Sequence, residues 1–207
     1  MEKNLKYIAK AVSGIFTPLM SGTYAVILAM LLSYLAYSPL KAKLVVMLVT
    51  FLGTCIVPVI AIFVLWKIGV VKEPALNSRR DRMIPYMVTI AGYLAVAVYT
   101  HVVNAPLWLT MTLVGAATAL IVDTVINVWW KISGHMTGMG GLCAVIFFLM
   151  LSGLGFDTLD WEFLLAIGLA GVVGTSRLLL SRHSLWQVVA GFGVGFFMTL
   201  AFPWLFN

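Results

Sequence analysis

The chain has 207 residues, 62% of them hydrophobic and only 10% charged, with a formal net charge of +6. A soluble domain of this size carries about 25% charged residues, so a water-soluble globule is excluded. Several apolar runs exceed about 18 residues, the length of a membrane-crossing helix, and none shows the alternation of a membrane β-barrel. The fold class is therefore all-α: a polytopic transmembrane helical bundle of about six or seven spans, forming one domain over residues 1–207. The positive balance lies in short loops, where it suits anionic lipid or phosphate and not nucleic acid. Cys55 and Cys143 fall in apolar runs with no disulfide or metal spacing and read as core.

In chain order, Lys3, Lys6 and Lys10 lie opposite Leu5, Ile8, Val12, Ile15 and Phe16. That pattern predicts a helix over residues 2–15 on the membrane surface, and signal cleavage is not expected although basic residues precede an apolar stretch. A first span is predicted from Thr17 to Tyr37, with Pro18 in its first turn. A loop with Lys41 and Lys43 follows, then a second span from Leu44 to Trp66 with a kink at Pro58. Residues 67–82 hold Lys67, Lys72, Glu73, Arg79, Arg80, Asp81 and Arg82, the most charged segment; its plainest reading is a solvated loop. The third span runs from Met83 to Thr100, and His101 reads as a loop or interface histidine.

The fourth span, Leu107 to Trp130, carries Asp123 inside the membrane, which is a functional hint. Asp123, Asn127 and Lys131 at i, i+4 and i+8 form one polar stripe leading to Ser133 and His135; an Asp123–Lys131 pair is the plainer alternative. The fifth span runs from Gly138 to Gly155, with Gly138, Gly140 and Gly141 allowing close packing. Asp157, Asp160 and Glu162 form an acidic turn. The sixth span runs from Trp161 to Arg177, and the seventh from Ser184 to Leu205 with Gly191, Gly193 and Gly195 as a packing face. Seven spans put the loops after the second, fourth and sixth on one side, so Arg79–Arg82, Ser133–His135 and Arg177–His183 share a membrane face.

Two histidines beside arginines and a hydroxyl suit a phosphoester. Arginine matches phosphate oxygens with a planar fork; Arg79, Arg82 and Arg177 offer this, and Ser133 and the N–H groups of Gly134 and His135 add donors. One histidine can accept a phosphoryl group and another can protonate the leaving oxygen. A zinc site would need Asp123 as a third ligand.

Two motifs carry a resemblance to the type 2 phosphatidic acid phosphatase superfamily. Ser133-Gly134-His135 resembles its Ser-Gly-His motif, without the usual preceding proline. Ser176-Arg177, five residues, His183, three residues and Gln187 resembles its Ser-Arg…His…Asp motif, with glutamine where the family has aspartate. The family's Lys, six residues, Arg-Pro motif is matched in spacing by Lys72 and Arg79, but Arg80 replaces the proline; alternatively Arg79 and Arg82 perform that role. The chain also resembles short bacterial membrane members of the superfamily.

The resemblance implies a membrane-embedded phosphatase acting on a lipid phosphate through a phosphohistidine, with no metal and no cofactor. It implies His183 as nucleophile, His135 as general acid and Gln187 as partner of His183. Ser133, Gly134, Ser176 and Arg177 would hold phosphate, with Lys72, Arg79, Arg82 and Lys131 as further basic candidates. Partners are the lipid substrate and the bilayer, in a bacterial inner membrane. The alternative is a non-enzymatic lipid-phosphate binder or transporter, favoured by Gln187. Family members mostly work outside the cytoplasm, whereas the excess of Lys and Arg on the site's side favours a cytoplasmic face.

Overall fold

The computed structural model describes residues 2–74, 76, 78–156 and 159–206. The chain forms α1 (Glu2–Ile15), α2 (Pro18–Leu32), α3 (Leu40–Phe51), α4 (Val57–Lys67), α5 (Met83–Val102), α6 (Leu107–Asn127), α7 (Gly134–Ser152), α8 (Asp160–Leu179) and α9 (Leu185–Leu205). Six helical stretches among the described residues are long and apolar enough to span a membrane, and the pair α1–α2, bent by 59°, makes up to a seventh. This is an all-α polytopic bundle, and the protein is an integral membrane protein.

Pro18 makes the bend. It lacks an N–H and biases Thr17 out of the helical region; Thr17 is extended, at φ −64° and ψ 144°. α1 therefore ends, and α2 starts with proline in its first turn. α1 packs against α8 with Ala9 and Ser13 buried and Val12 and Phe16 half-buried, while Leu5, Ile8 and Ile15 stay exposed. Val12 and Phe16 thus face protein and not lipid: the small side chains of Ala9 and Ser13 let α8 approach that side.

Other boundaries also differ from the sequence reading. α2 stops at Leu32 because Ser33 turns extended, pairs with Gly155 in an isolated antiparallel bridge and begins a short 3-10 turn over Tyr34–Tyr37. Lys41 and Lys43 belong to the first turn of α3. The kink expected at Pro58 is a π-helical turn, Leu52–Ile56, which joins α3 to α4 directly before the proline. α6 ends at Asn127, and α7 starts at Gly134, so Ser133-Gly134-His135 opens a helix. Asp160 and Glu162 lie in the first turn of α8, where negative charge is favourable; Asp157 lies outside the described residues. His101 is an exposed residue near the end of α5, and both cysteines are buried and unpaired.

α7 is the central helix: 12 of its 19 residues are buried, against 10 of 21 in α6. Its tightest neighbour is α9. A Cβ on Gly140 would collide with the Phe192 carbonyl oxygen, and one on Gly195 with that of Thr137. Gly191 works the same way, its missing Cβ lying 2.6 Å from the Ser133 carbonyl oxygen. Gly193, predicted on the same face, points into open space, because two residues along a helix turn the direction by about 200°. Without a hydrophobic drive between helices in lipid, such close backbone approach supplies the dispersion contacts that hold them.

Gly140→Val should destabilise the protein by about 1–3 kcal/mol, read as a lower unfolding temperature in detergent, while Gly193→Ala should leave that temperature unchanged.

Candidate active site

At the α1–α2 bend a cavity of about 230 Å³ opens between the helices, with Arg82, Gly134, His135, Arg177 and His183 on its walls. Its other walls include Leu19 of α2, Ile62 of α4, Pro85 and Tyr86 of α5 and Leu120 of α6. The three polar patches thus converge.

Arg82 is buried and anchored twice. Nε donates to the Leu76 carbonyl at 2.8 Å and Nη1 to the Ile132 carbonyl at 3.2 Å. Its loop is further tied down by Asn127 Nδ2 donating to the Arg79 carbonyl at 2.9 Å and by Arg79 Nη1 donating to the Val128 carbonyl at 3.3 Å. Arg79 is exposed and Lys72 is exposed, and neither lines the cavity. Of the basic residues offered for the first family motif, only Arg82 reaches it, because it starts the turn of chain that leads into α5. Tyr86, one turn further on, was not singled out from the sequence; the i, i+4 spacing from Arg82 was the available signal. A Cβ on Gly134 would stand 2.9 Å from the Tyr86 hydroxyl, so a side chain where α7 starts would push the Tyr86 ring aside.

Gly134 and His135 occupy the first helical positions of α7, where N–H groups have no intrahelical acceptor. Ser133 is fully buried, its N–H donates to the Gln187 carbonyl at 3.3 Å, and its Oγ has no partner among the described residues. Arg177 projects from the last turn of α8, and its buried Nε also lacks an acceptor among the described residues. Ser176 donates instead to the Val172 carbonyl at 2.8 Å and lies off the cavity wall. Beneath the site, Asp123 is fully buried and accepts from Thr137 Oγ1 at 2.6 Å; Oδ1 has no partner among the described residues, so the alternative pairing with Lys131 is not made. Asn127 and Lys131 do not continue one stripe, since α6 ends at Asn127. No three His, Cys, Asp or Glu side chains among the described residues gather as a metal-ligand set.

His183 sits in the loop between α8 and α9, 8% exposed. Its Nδ1 lies 3.3 Å from the Lys131 carbonyl oxygen and 3.2 Å from Gln187 Oε1. Both are acceptors, so Nδ1 carries the proton and Nε2 keeps its lone pair. Gln187 Oε1 also accepts the Ser184 N–H at 3.1 Å, closing a capping box that starts α9. The residue that orients the histidine thereby also caps the helix behind it. Ser181, in the same loop, holds φ at 52°, a conformation non-glycine residues rarely adopt.

Burial first, then the charges of Arg82, Arg177 and Lys131, push the His183 imidazole down to about 4, against the pull of the Lys131 carbonyl. Burial, with Arg82, Arg182 and Arg177, likewise lowers the Lys131 ammonium. The charges acting on both groups are all positive. Positive charge gathered in this way attracts anions.

The unfolded chain protonates this histidine near 6.5 and the folded one only near 4. Between those values the unfolded state binds more protons, so this group's contribution to stability is full above pH 6.5 and falls as pH drops toward 4. Titration of the His183 ring by NMR should show it neutral at pH 6, and Gln187→Asp should raise its midpoint by about one unit or more.

Residues 128–207 match the family model of the PAP2 superfamily. The matched segment contains Ser133-Gly134-His135 and Ser176 to Gln187 and leaves out Lys72, Arg79 and Arg82. No curated protein and no solved structure matches the chain.

Proposed function

We infer that the chain, whose residues 128–207 match the PAP2 superfamily, a family of membrane phosphatases, hydrolyses a lipid phosphate through a phosphohistidine. The observation that carries this reading is the His183 ring. Its Nδ1 is held by two acceptors, its Nε2 is available, and the charges acting on it are positive.

Neutral His183 attacks phosphorus through Nε2. The Arg82 and Arg177 guanidinium groups take up the charge on the phosphoryl oxygens, joined by the N–H groups of Gly134 and His135. His135 gives its proton to the leaving oxygen as the P–O bond breaks, and then takes one from the water that attacks the phosphohistidine. Gln187 cannot offset an imidazolium as a carboxylate does, but the phosphorylated ring is paired with a phosphoryl group that brings its own negative charge. Leu19, Ile62, Pro85 and Leu120 line the rest of the cavity, which favours a substrate whose phosphate carries an apolar tail: a phosphatidate, phosphatidylglycerophosphate or polyprenyl diphosphate. Such a site lies in a bacterial inner membrane, on the cytoplasmic side by the positive charge around it.

Purified protein should release phosphate from a panel of lipid phosphates, equally with and without EDTA, and His183→Ala should abolish release while leaving the unfolding temperature near that of the parent. Unchanged turnover in that variant would remove His183 as nucleophile, and metal-restored activity after chelation would overturn the mechanism. In a Cys-free background, cysteines at Ser78 and Ser181 should resist an impermeant maleimide in intact cells and react after lysis; labelling from outside would place the site on the other face.

A further inference from the structure

The two histidines of the site are held in parallel ways by elements far apart in the chain. His183 has Nδ1 against the Lys131 carbonyl. His135 has Nε2 at 3.1 Å from the Ser13 carbonyl oxygen, in the last turn of α1. We propose that α1 is a positioning element of the active site: it fixes the His135 ring so that Nδ1, the remaining nitrogen, serves the leaving oxygen. This rests on the phosphatase reading above.

The carbonyl is available for a physical reason. In a continuous helix, Ser13 would accept from the N–H of Thr17, but Pro18 holds Thr17 extended and the helix ends. The last carbonyls of a helix then need an external partner. The Tyr24 hydroxyl takes that of Ile15 at 3.0 Å, and His135 takes that of Ser13. A carbonyl only accepts, so Nε2 carries a proton and the ring's orientation is set. α1 is itself held by its buried small face, Ala9 and Ser13, against α8. Leu5, Ile8 and Ile15, with Lys3 and Lys10, are left on the outside, a composition suited to an interfacial helix.

In the first half-reaction the protonated ring gives the Nδ1 proton to the leaving alcohol as the P–O bond breaks and the bond from His183 Nε2 to phosphorus forms. In the second, Nδ1 takes a proton from water as the P–N bond breaks. Nε2 keeps its proton on Ser13 throughout. Lifting α1 frees the ring to turn and removes its acid role in the first half-reaction and its base role in the second, while the nucleophile and the arginines belong to other elements.

The test uses leaving groups. An alkyl phosphate leaves as a strongly basic alkoxide and needs the acid; p-nitrophenyl phosphate leaves as a stable phenolate and does not. Two variants unseat α1: deletion of residues 2–12, and Ala9→Trp, which puts a ring where a methyl group meets α8. Each should lower kcat/KM, which reports the first half-reaction alone, at least about tenfold on the alkyl phosphate, toward the 10²–10⁴-fold that general acids contribute, and leave kcat/KM for p-nitrophenyl phosphate within about twofold of the parent. Adding His135→Ala to Ala9→Trp should lower the alkyl rate no further than His135→Ala alone. Equal losses of kcat/KM on both substrates in Ala9→Trp, or no loss on either, would overturn the proposal. A parent protein that cleaves neither substrate would instead overturn the phosphatase reading.

Discussion

The contact between α7 and α9 is the constraint on which the rest depends. Gly140, Gly191 and Gly195 remove the side chains that would keep the two backbones apart. At the near end this brings the Ser133 loop against the first turns of α9, where the Ser133 N–H meets the Gln187 carbonyl. His135 and His183, 48 positions apart, are thereby placed on one cavity. Bulk on any of these glycines would separate the two motifs before it affected either one chemically.

The electrostatics of the site follow from where those helices end. Arg82, Lys131, Arg177 and His183 come from loops and last turns on one face, and burial strips part of their water. Like charges gathered there disfavour one another, and the imidazole is the group that yields by staying neutral. In the proposed reaction an uncharged imidazole is the form that attacks phosphorus, so the repulsion among cations would prepare the nucleophile. A phosphate bound there, as proposed, would reverse the balance, since it supplies negative charge to every one of these groups at once. A glutamine suffices behind His183 for orientation, because its oxygen and the Lys131 carbonyl both accept from Nδ1.

Anchoring of the basic side chains is uneven. Arg82 spends two donors on backbone carbonyls, which fixes the guanidinium and leaves its other donors for a ligand. Arg177 and Ser133 keep buried polar atoms without partners among the described residues. Unpaired buried polar groups are costly, and in the proposed function phosphate oxygens would supply what Arg177 Nε and Ser133 Oγ lack.

The sequence by itself determined the class of the protein. Apolar runs with few charges fixed a helical bundle, because lipid leaves the backbone no other partner than itself. The spacing of Ser133-Gly134-His135 and Ser176 to Gln187 pointed to phosphate, since a motif is local and survives without knowing the fold. Span parity put the patches on one face. What depended on approach between distant segments was decided only in three dimensions. Spacing could not choose among Lys72, Arg79 and Arg82; the choice fell to Arg82 because it alone reaches the carbonyl of Ile132 and the cavity behind it. Nothing local marked the Lys131 carbonyl as the partner of His183, or the Ser13 carbonyl as the partner of His135. Backbone carbonyls are identical at every position, and only the ending of a helix and the packing of its neighbours decide which of them is left to accept a proton.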